Sequence, residues 1–187
     1  MISKAIETAL KAHQGQPRKG TEIPYSTHPL AVGIILAKAG CTDDVIAAGI
    51  LHDTVEDTDT RFDDLRVKFG AKVATIVEGC SEPNKKAEWE ERKQHTIDSL
   101  KGASPDIKFV SLADKFHNIS SMASDYAEVG ERLWDRFKRG RKAQKGYYEG
   151  LVVALRDDNA DEAYGALHKE FSTRVEKVFG APEMKEG

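Results

Sequence analysis

The chain has 187 residues, 40% hydrophobic and 32% charged, with a net charge of −3. This is an ordinary globular mix, and the expectation is a single domain over residues 1–187, with its core over about 1–160 and a frayed tail after 180. The charge excludes a general surface for long nucleic acid but leaves open a local basic pocket for a small anion; no apolar run approaches a membrane span; and two cysteines, Cys41 and Cys80, form neither a disulfide framework nor a zinc cluster, so the reading is a cytoplasmic protein.

The opening MISKAIETALKAH predicts an amphipathic helix, with Ile2, Ile6, Ala9 and His13 on one stripe and no signal-peptide core. Gln14 to Tyr25 holds two prolines and two glycines and reads as a loop. Pro29 opens a second helix at its first position, where the missing N–H costs nothing, and that helix runs to about Lys38 before Gly40. Thr42 caps a third, from Asp43 to about Asp57. Shorter helices follow over Phe62 to Phe69 and Lys72 to Glu78. Ser81 to Glu91, highly charged and holding Pro83, reads as a loop leading into a helix over Glu91 to Leu100. Ser104-Pro105-Asp106 combines a capping serine, a first-turn proline and an acid near the positive helix end. The helix it starts runs through Ile107, Val110, Asp114 and His117 past Ser120. Two more cover Arg132 to Arg156 and Asp161 to Phe179. Strand signals are weak throughout, so the fold class is all-α: one helical bundle.

Two helices carry ionisable groups where apolar ones belong. On the third, Val45, Ile46 and Gly49 form the inward stripe, and helical spacing continues it with His52, Asp53 and Glu56. After Ser104, Ile107, Val110, Asp114 and His117 share a face. Burying such groups costs several kcal/mol unless they are paired or bind a metal. With His28 at the mouth of a helix, they make a mixed N/O set suited to Mn²⁺, Fe²⁺ or Zn²⁺ with a position open for water. Each residue also has a plainer reading. His28 before a proline reads as a cap or surface residue, Asp53 as a cap or lysine partner, and Asp114 as the ion-pair partner of Lys115 or Arg18. Glu56 and Asp57 read as a solvated helix end, although acids there oppose the helix dipole. Lys85, Lys86, Arg92 and Lys93 read either as closing over a charged substrate or as solvated surface charge.

The pattern His-x23-His-Asp-x60-Asp resembles the HD-domain metallohydrolase superfamily. HDTVEDT followed by LADKFHN, with AHQGQPRKG and PYSTHP before them, is similar to the hydrolase domain of RelA/SpoT-type alarmone enzymes, and the match runs from about Ala5 to Met122. The chain has no room for a synthetase domain and so resembles the small stand-alone alarmone hydrolases, of which the metazoan SpoT homologue is one. The resemblance implies that His28, His52, Asp53 and Asp114 bind one divalent metal, Mn²⁺ in the family, with Fe²⁺ or Zn²⁺ as alternatives. It implies that Glu56 and Asp57 are the catalytic acids, that Arg18 and Lys19 meet the base and phosphates, and that Asn118 and Ser121 contact the nucleotide. The implied activity is hydrolysis of guanosine 3′,5′-bis(diphosphate) at its 3′ diphosphate. Alternatives keep the site and change the substrate, to the adenosine analogue or the 2′-phosphate of NADPH. A nucleotidase or cyclic-nucleotide phosphodiesterase is more distant, because the trailing Glu56-Asp57 pair is foreign to it. A non-catalytic alarmone-binding module is the reading from another class, and the intact six positions count against it.

Overall fold

The computed structural model describes residues 1–82 and 84–180. The expected fray after residue 180, and Pro83 in the expected loop, lie outside the described residues.

The first helix, α1 (Ile2–Ala12), buries Ala5 and Ala9, with Ile2 and Ile6 packed beside them, as its stripe predicts. A loop closed by a single antiparallel bridge between Pro17 and Pro24 leads to α2 (Thr27–Lys38). That helix starts two residues earlier than expected. Pro29 therefore lies within the first turn, where its missing N–H is still harmless, and His28 is part of the helix and buried.

The expected long third helix is two. α3 (Asp43–Leu51) stops at His52, and α4 (Thr54–Asp57) begins after Asp53. Side chains explain the break. His52 Nδ1 bonds the Gly49 carbonyl at 2.7 Å, and Thr54 Oγ1 bonds the Leu51 carbonyl at 2.7 Å. Such local bonds compete with the helical ladder and bend it. The break swings His52 and Asp53 to the same side. α2 and α3 approach so closely that glycine is required between them: a Cβ on Gly33 would stand 2.5 Å from Ile50 Cγ1, and one on Gly49 2.2 Å from Leu36 Cδ1.

α5 (Phe62–Phe69), α6 (Ala71–Cys80), α7 (Trp89–Lys101) and α8 (Pro105–Val129) follow. Thr42 and Ser104 occupy the expected cap positions in extended backbone, but neither side chain makes a capping bond. Their carbonyls instead take the first helical N–H groups, from Ile46 and Lys108, each at 3.0 Å. The expected helix over Arg132 to Arg156 is divided into a 3-10 helix (Gly130–Arg136) and α9 (Gly140–Ala154). Gly140, at φ +66°, takes a left-handed turn that no continuous helix contains. Asp161 caps α10 (Glu162–Phe179) by accepting from the Tyr164 N–H at 2.8 Å.

Two hydrophobic clusters result. The first joins α1, α2, α3, α5 and α6, and the second joins the 3-10 helix, α9 and α10, so the core extends past residue 160 to Phe179. α8 serves both: Val110 and Ala113 enter the first cluster, Leu112 and Ile119 the second, and Asp114 sits between them. Among the described residues there is no strand beyond the single bridge, and no helix long and apolar enough to cross a membrane.

Candidate metal centre and its cavity

Four side chains from three places in the fold converge. His28, from the first turn of α2, is 1% exposed; its Nε2 lies 3.1 Å from Asp114 Oδ1 and 3.5 Å from Asp53 Oδ2. His52, at the end of α3, is 3% exposed, with Nε2 3.0 Å from Asp53 Oδ2 and 3.7 Å from Asp114 Oδ1. Its Nε2 nevertheless lacks the alignment of a hydrogen bond and has no partner in one. The plainer reading of His28 as a cap or surface residue is thereby removed. That of Asp114 is half right: Oδ2 pairs with Lys115 Nζ at 2.6 Å, while Oδ1 faces the imidazoles.

These residues fit a divalent cation. Metal–ligand bonds of about 2.0–2.2 Å put ligand atoms within roughly 4.4 Å of one another. One atom each from His28, His52 and Asp114 lie within 4.8 Å of one another, slightly wider than a bonded set; Asp53 stands outside that group, with Oδ2 3.0 Å from His52 Nε2 and 3.5 Å from His28 Nε2. The buried His52 Nε2, without a hydrogen-bond partner, is available as a donor to a cation.

The electrostatics agree. Burial works to raise the carboxyls of Asp53 and Asp114, yet both are held well below the usual range, Asp53 chiefly by His52 and Asp114 by Lys115 and then the two imidazoles. Burial lowers His28, keeping it neutral; the same effect on His52 is overcome by Asp53 and Asp114, which raise it. Two anionic carboxylates thus sit ready for a cation.

An outer layer orients these groups. Tyr25 donates its hydroxyl to Asp53 Oδ2 at 2.5 Å, and burial with the Asp53 charge pushes that phenol far above its usual range. Asn118 Nδ2 donates to Asp114 Oδ1 at 2.7 Å and accepts from Arg18 Nη2 at 3.2 Å through its own Oδ1. The sequence reading assigned Tyr25 no role, anticipated Lys115 only as an ion-pair partner of Asp114, and placed His117 on the right face without giving it a role. Tyr25 stands one helical turn before His28, and Lys115 and His117 flank Asp114, so adjacency to a ligand was the available signal.

Glu56 and Asp57 follow on α4. Glu56 is half-buried, and burial raises its carboxyl; the Glu82 N–H, donated to Oε2 at 3.3 Å, opposes this, and Asp53 adds to it. Asp57 is more exposed, and Lys85 Nζ donates to its Oδ1 at 2.8 Å and to the Glu56 carbonyl. Arg92 and Lys93 pair with Glu82 at 2.5 and 2.6 Å. Three of the four basic residues in question are therefore tied down by acids.

A cavity of about 630 Å³ adjoins the centre. Tyr25, Lys115 and Asn118, each bonded to one of the four converging carboxylates or imidazoles, form its inner wall together with His117. Arg18, Lys19 and Ser121 also line it. Lys19 is 5.2 Å above the Phe137 ring, and the Ser121 hydroxyl is turned to the His117 carbonyl at 3.1 Å. Lys93 and Arg136 complete five cationic side chains around this space.

The HD domain family matches residues 5–142. Over 124 residues, 65% of this chain and 69% of the relative, the chain is 41% identical to the guanosine-3′,5′-bis(diphosphate) 3′-pyrophosphohydrolase MESH1 of Homo sapiens. It is 40% identical over 147 residues to a GTP pyrophosphokinase of Streptomyces coelicolor, but spans only 16% of that protein's length. Among solved structures, the metazoan orthologue of SpoT that hydrolyses ppGpp superposes with a TM-score of 0.79 at 27% identity, covering 96% of each chain.

Proposed function

The chain belongs to the HD domain family, and from that premise we propose that it is a Mn²⁺-dependent phosphohydrolase acting on guanosine 3′,5′-bis(diphosphate). Water enters at the 3′ diphosphate; the products are diphosphate and GDP. The observation that carries this reading is the convergence of His28, His52, Asp53 and Asp114 on one point, with a buried nitrogen unpartnered, beside a cavity lined by five cations. The names of the relatives favour the guanosine compound over adenosine or NADPH substrates.

His28, His52, Asp53 and Asp114 are the ligands in this reading. A bound divalent cation supplies Lewis acidity, which makes water a nucleophile near neutral pH and takes up charge on a phosphoryl oxygen. Nitrogen and oxygen donors accept several such metals, so availability decides among Mn²⁺, Fe²⁺ and Zn²⁺. Glu56, with its raised pKa, takes the proton of the attacking water, and Asp57 orients that water. Arg18, Lys19 and Lys115 hold the phosphates, with arginine also able to stack on a purine. Asn118 keeps Asp114 and Arg18 in register, and Ser121 contacts the nucleotide. The free thiols of Cys41 and Cys80 support a cytoplasmic setting.

The test is diphosphate release by metal-stripped protein with and without added Mn²⁺, offered the guanosine compound, its adenosine analogue and NADPH. Mn²⁺-dependent release, fastest with guanosine, is the expected result. Metal and nucleotide binding without turnover of any substrate would make the protein a binding module instead.

A further inference from the structure

The cavity holds one acid among its five cations. Asp125 lies on α8, and its carboxylate faces the same space as Arg18, Lys19 and Arg136. Arg136 Nη1 donates to its Oδ2 at 2.7 Å. Among the described residues Oδ1 has no hydrogen-bond partner. An ionised carboxylate offers about four acceptor sites, so most of its capacity is unspent.

Its position along α8 identifies what it meets. Asp114, Asn118, Ser121 and Asp125 follow at intervals of four, three and four residues. Eleven residues return the helix to within roughly 20° of its starting direction, so these four form one polar stripe, about 16 Å long from end to end. The stripe starts at the candidate metal ligand Asp114 and runs along the cavity wall, where Asn118, Ser121 and Asp125 are exposed to the space. A nucleotide whose 3′ phosphate reacts at the Asp114 end keeps its ribose there too, because the ribose carries the reacting oxygen. Only the base or the 5′ phosphates extend to the far end. Arg18, Lys19 and Arg136 can serve the 5′ phosphates, whereas the carboxylate of Asp125 can only accept hydrogen bonds and so has nothing to offer a phosphate. The group that matches it is a neutral one with hydrogen-bond donors, which is the base.

We propose that Asp125 reads the purine, accepting from the N1–H and the exocyclic amine of guanine and so selecting guanine over adenine. Guanine places these two donors side by side, matching the two oxygens of a carboxylate. Adenine sets a donor beside the N1 lone pair, so the carboxylate gains one bond and meets one repulsion. Arg136 fixes the carboxylate in place. Its own chain lies against Gly20 of the basic loop, where a Cβ would come within 3.0 Å of Arg136 Cδ. The loop bearing Arg18 and Lys19 and the base-reading pair are thus one packed unit. This inference rests on the proposed nucleotide hydrolysis for the direction of the substrate, and it gives that site its base specificity.

The test compares the unmodified protein with Asp125→Asn and Asp125→Ala. Diphosphate release is measured from the guanosine, inosine and adenosine 3′,5′-bis(diphosphates) with Mn²⁺, and binding of GDP and ADP by calorimetry. The unmodified protein should rank guanosine above inosine, which lacks the amine, and inosine above adenosine. In Asp125→Asn the guanosine-to-adenosine ratio of kcat/KM should fall roughly 10- to 100-fold, the worth of one bidentate contact to a base, through KM rather than kcat. A merely structural role for Asp125 would lower all substrates together. Equal binding of GDP and ADP by the unmodified protein, or an unchanged ratio in both variants, would overturn the proposal. The calorimetric preference is readable even in a protein that turns nothing over, so failure of the hydrolase reading and failure of this one remain distinct.

Discussion

His117 and His28 meet nitrogen to nitrogen, Nδ1 to Nδ1 at 2.8 Å, with ring centroids 4.9 Å apart. One of the two must donate and the other accept. In the proposed reading His28 binds the cation through the Nε2 lone pair it turns to the carboxylates, which puts its proton on Nδ1. His117 is then the acceptor, neutral, with its own proton on Nε2. Burial, with His28 and Arg18 nearby, pushes its pKa down to about 4, which agrees. His117 therefore sets the tautomer and tilt of His28 from outside the ligand set, as such partners commonly do.

Replacing His117 by alanine should weaken Mn²⁺ binding about 10- to 100-fold, the usual effect of removing such a partner. His117→Asn, which keeps an acceptor near the same place, should restore part of it. Metal titration followed by calorimetry reads both. Equal affinity in His117→Ala and the unmodified protein would show that His28 needs no such partner.

Ligand and acid roles should separate experimentally. Asp53→Ala removes the carboxylate nearest His52 Nε2 and should abolish bound metal and activity together. Asp57→Asn leaves the four proposed ligands intact and should retain the metal while lowering kcat by about 10²-fold, the cost of a misplaced reacting group. Metal content by atomic absorption beside single-substrate kinetics decides this. Asp53→Ala with its metal still in place would remove Asp53 from the ligand set.

The convergence of His52 and Asp114 was legible because ionisable residues interrupted apolar stripes. His52 follows Val45, Ile46 and Gly49, and Asp114 follows Val110, and burial of such groups demands a partner. The break after Leu51 was not legible, since it comes from His52 and Thr54 bonding back onto the chain while helical periodicity runs on unchanged. Nor was the cavity. Arg18 and Asn118 form one wall through a bond spanning 100 residues of sequence, and no spacing rule reaches that far. Glu82 restrains Arg92 and Lys93 from a loop with no periodicity to read.

Lys85 should set the acid limb of the pH profile. Burial raises the Glu56 carboxyl, and the positive charge of Lys85 opposes the rise. A general base works only when ionised, so activity is lost as pH falls through its pKa. In Lys85→Met the opposing charge is gone, the Glu56 pKa rises further, and the acid limb of kcat/KM should move to higher pH. Activity near pH 5 should drop more than activity near pH 8. A limb that stays in place, or moves to lower pH, would take the base role away from Glu56.

Two glycine-to-alanine changes in helices should have opposite signs. Alanine in a helix interior is favoured over glycine by about 1 kcal/mol. At Gly146 in α9 nothing lies within 4 Å of the new Cβ, so Gly146→Ala should keep that gain. At Gly49 the Cβ would fall 2.2 Å from Leu36 Cδ1 and 3.3 Å from Val32 Cγ1, both fully buried. Overpacking of this kind costs about 1–3 kcal/mol, enough to match or exceed the helical gain, and the strain is relieved by turning the buried Leu36 side chain or by moving α2 away from α3. Those two helices carry His28 and His52, and the Gly49 carbonyl itself holds the His52 ring at 2.7 Å. Gly49→Ala should therefore lower the melting temperature by a few degrees, at about 2–4 °C per kcal/mol for a chain of this size, and weaken metal binding more than stability alone requires. Thermal melts of both variants with and without Mn²⁺ test this. A Gly49→Ala protein that melts higher than the unmodified one, as Gly146→Ala should, would mean that the α2–α3 contact is looser than its geometry indicates.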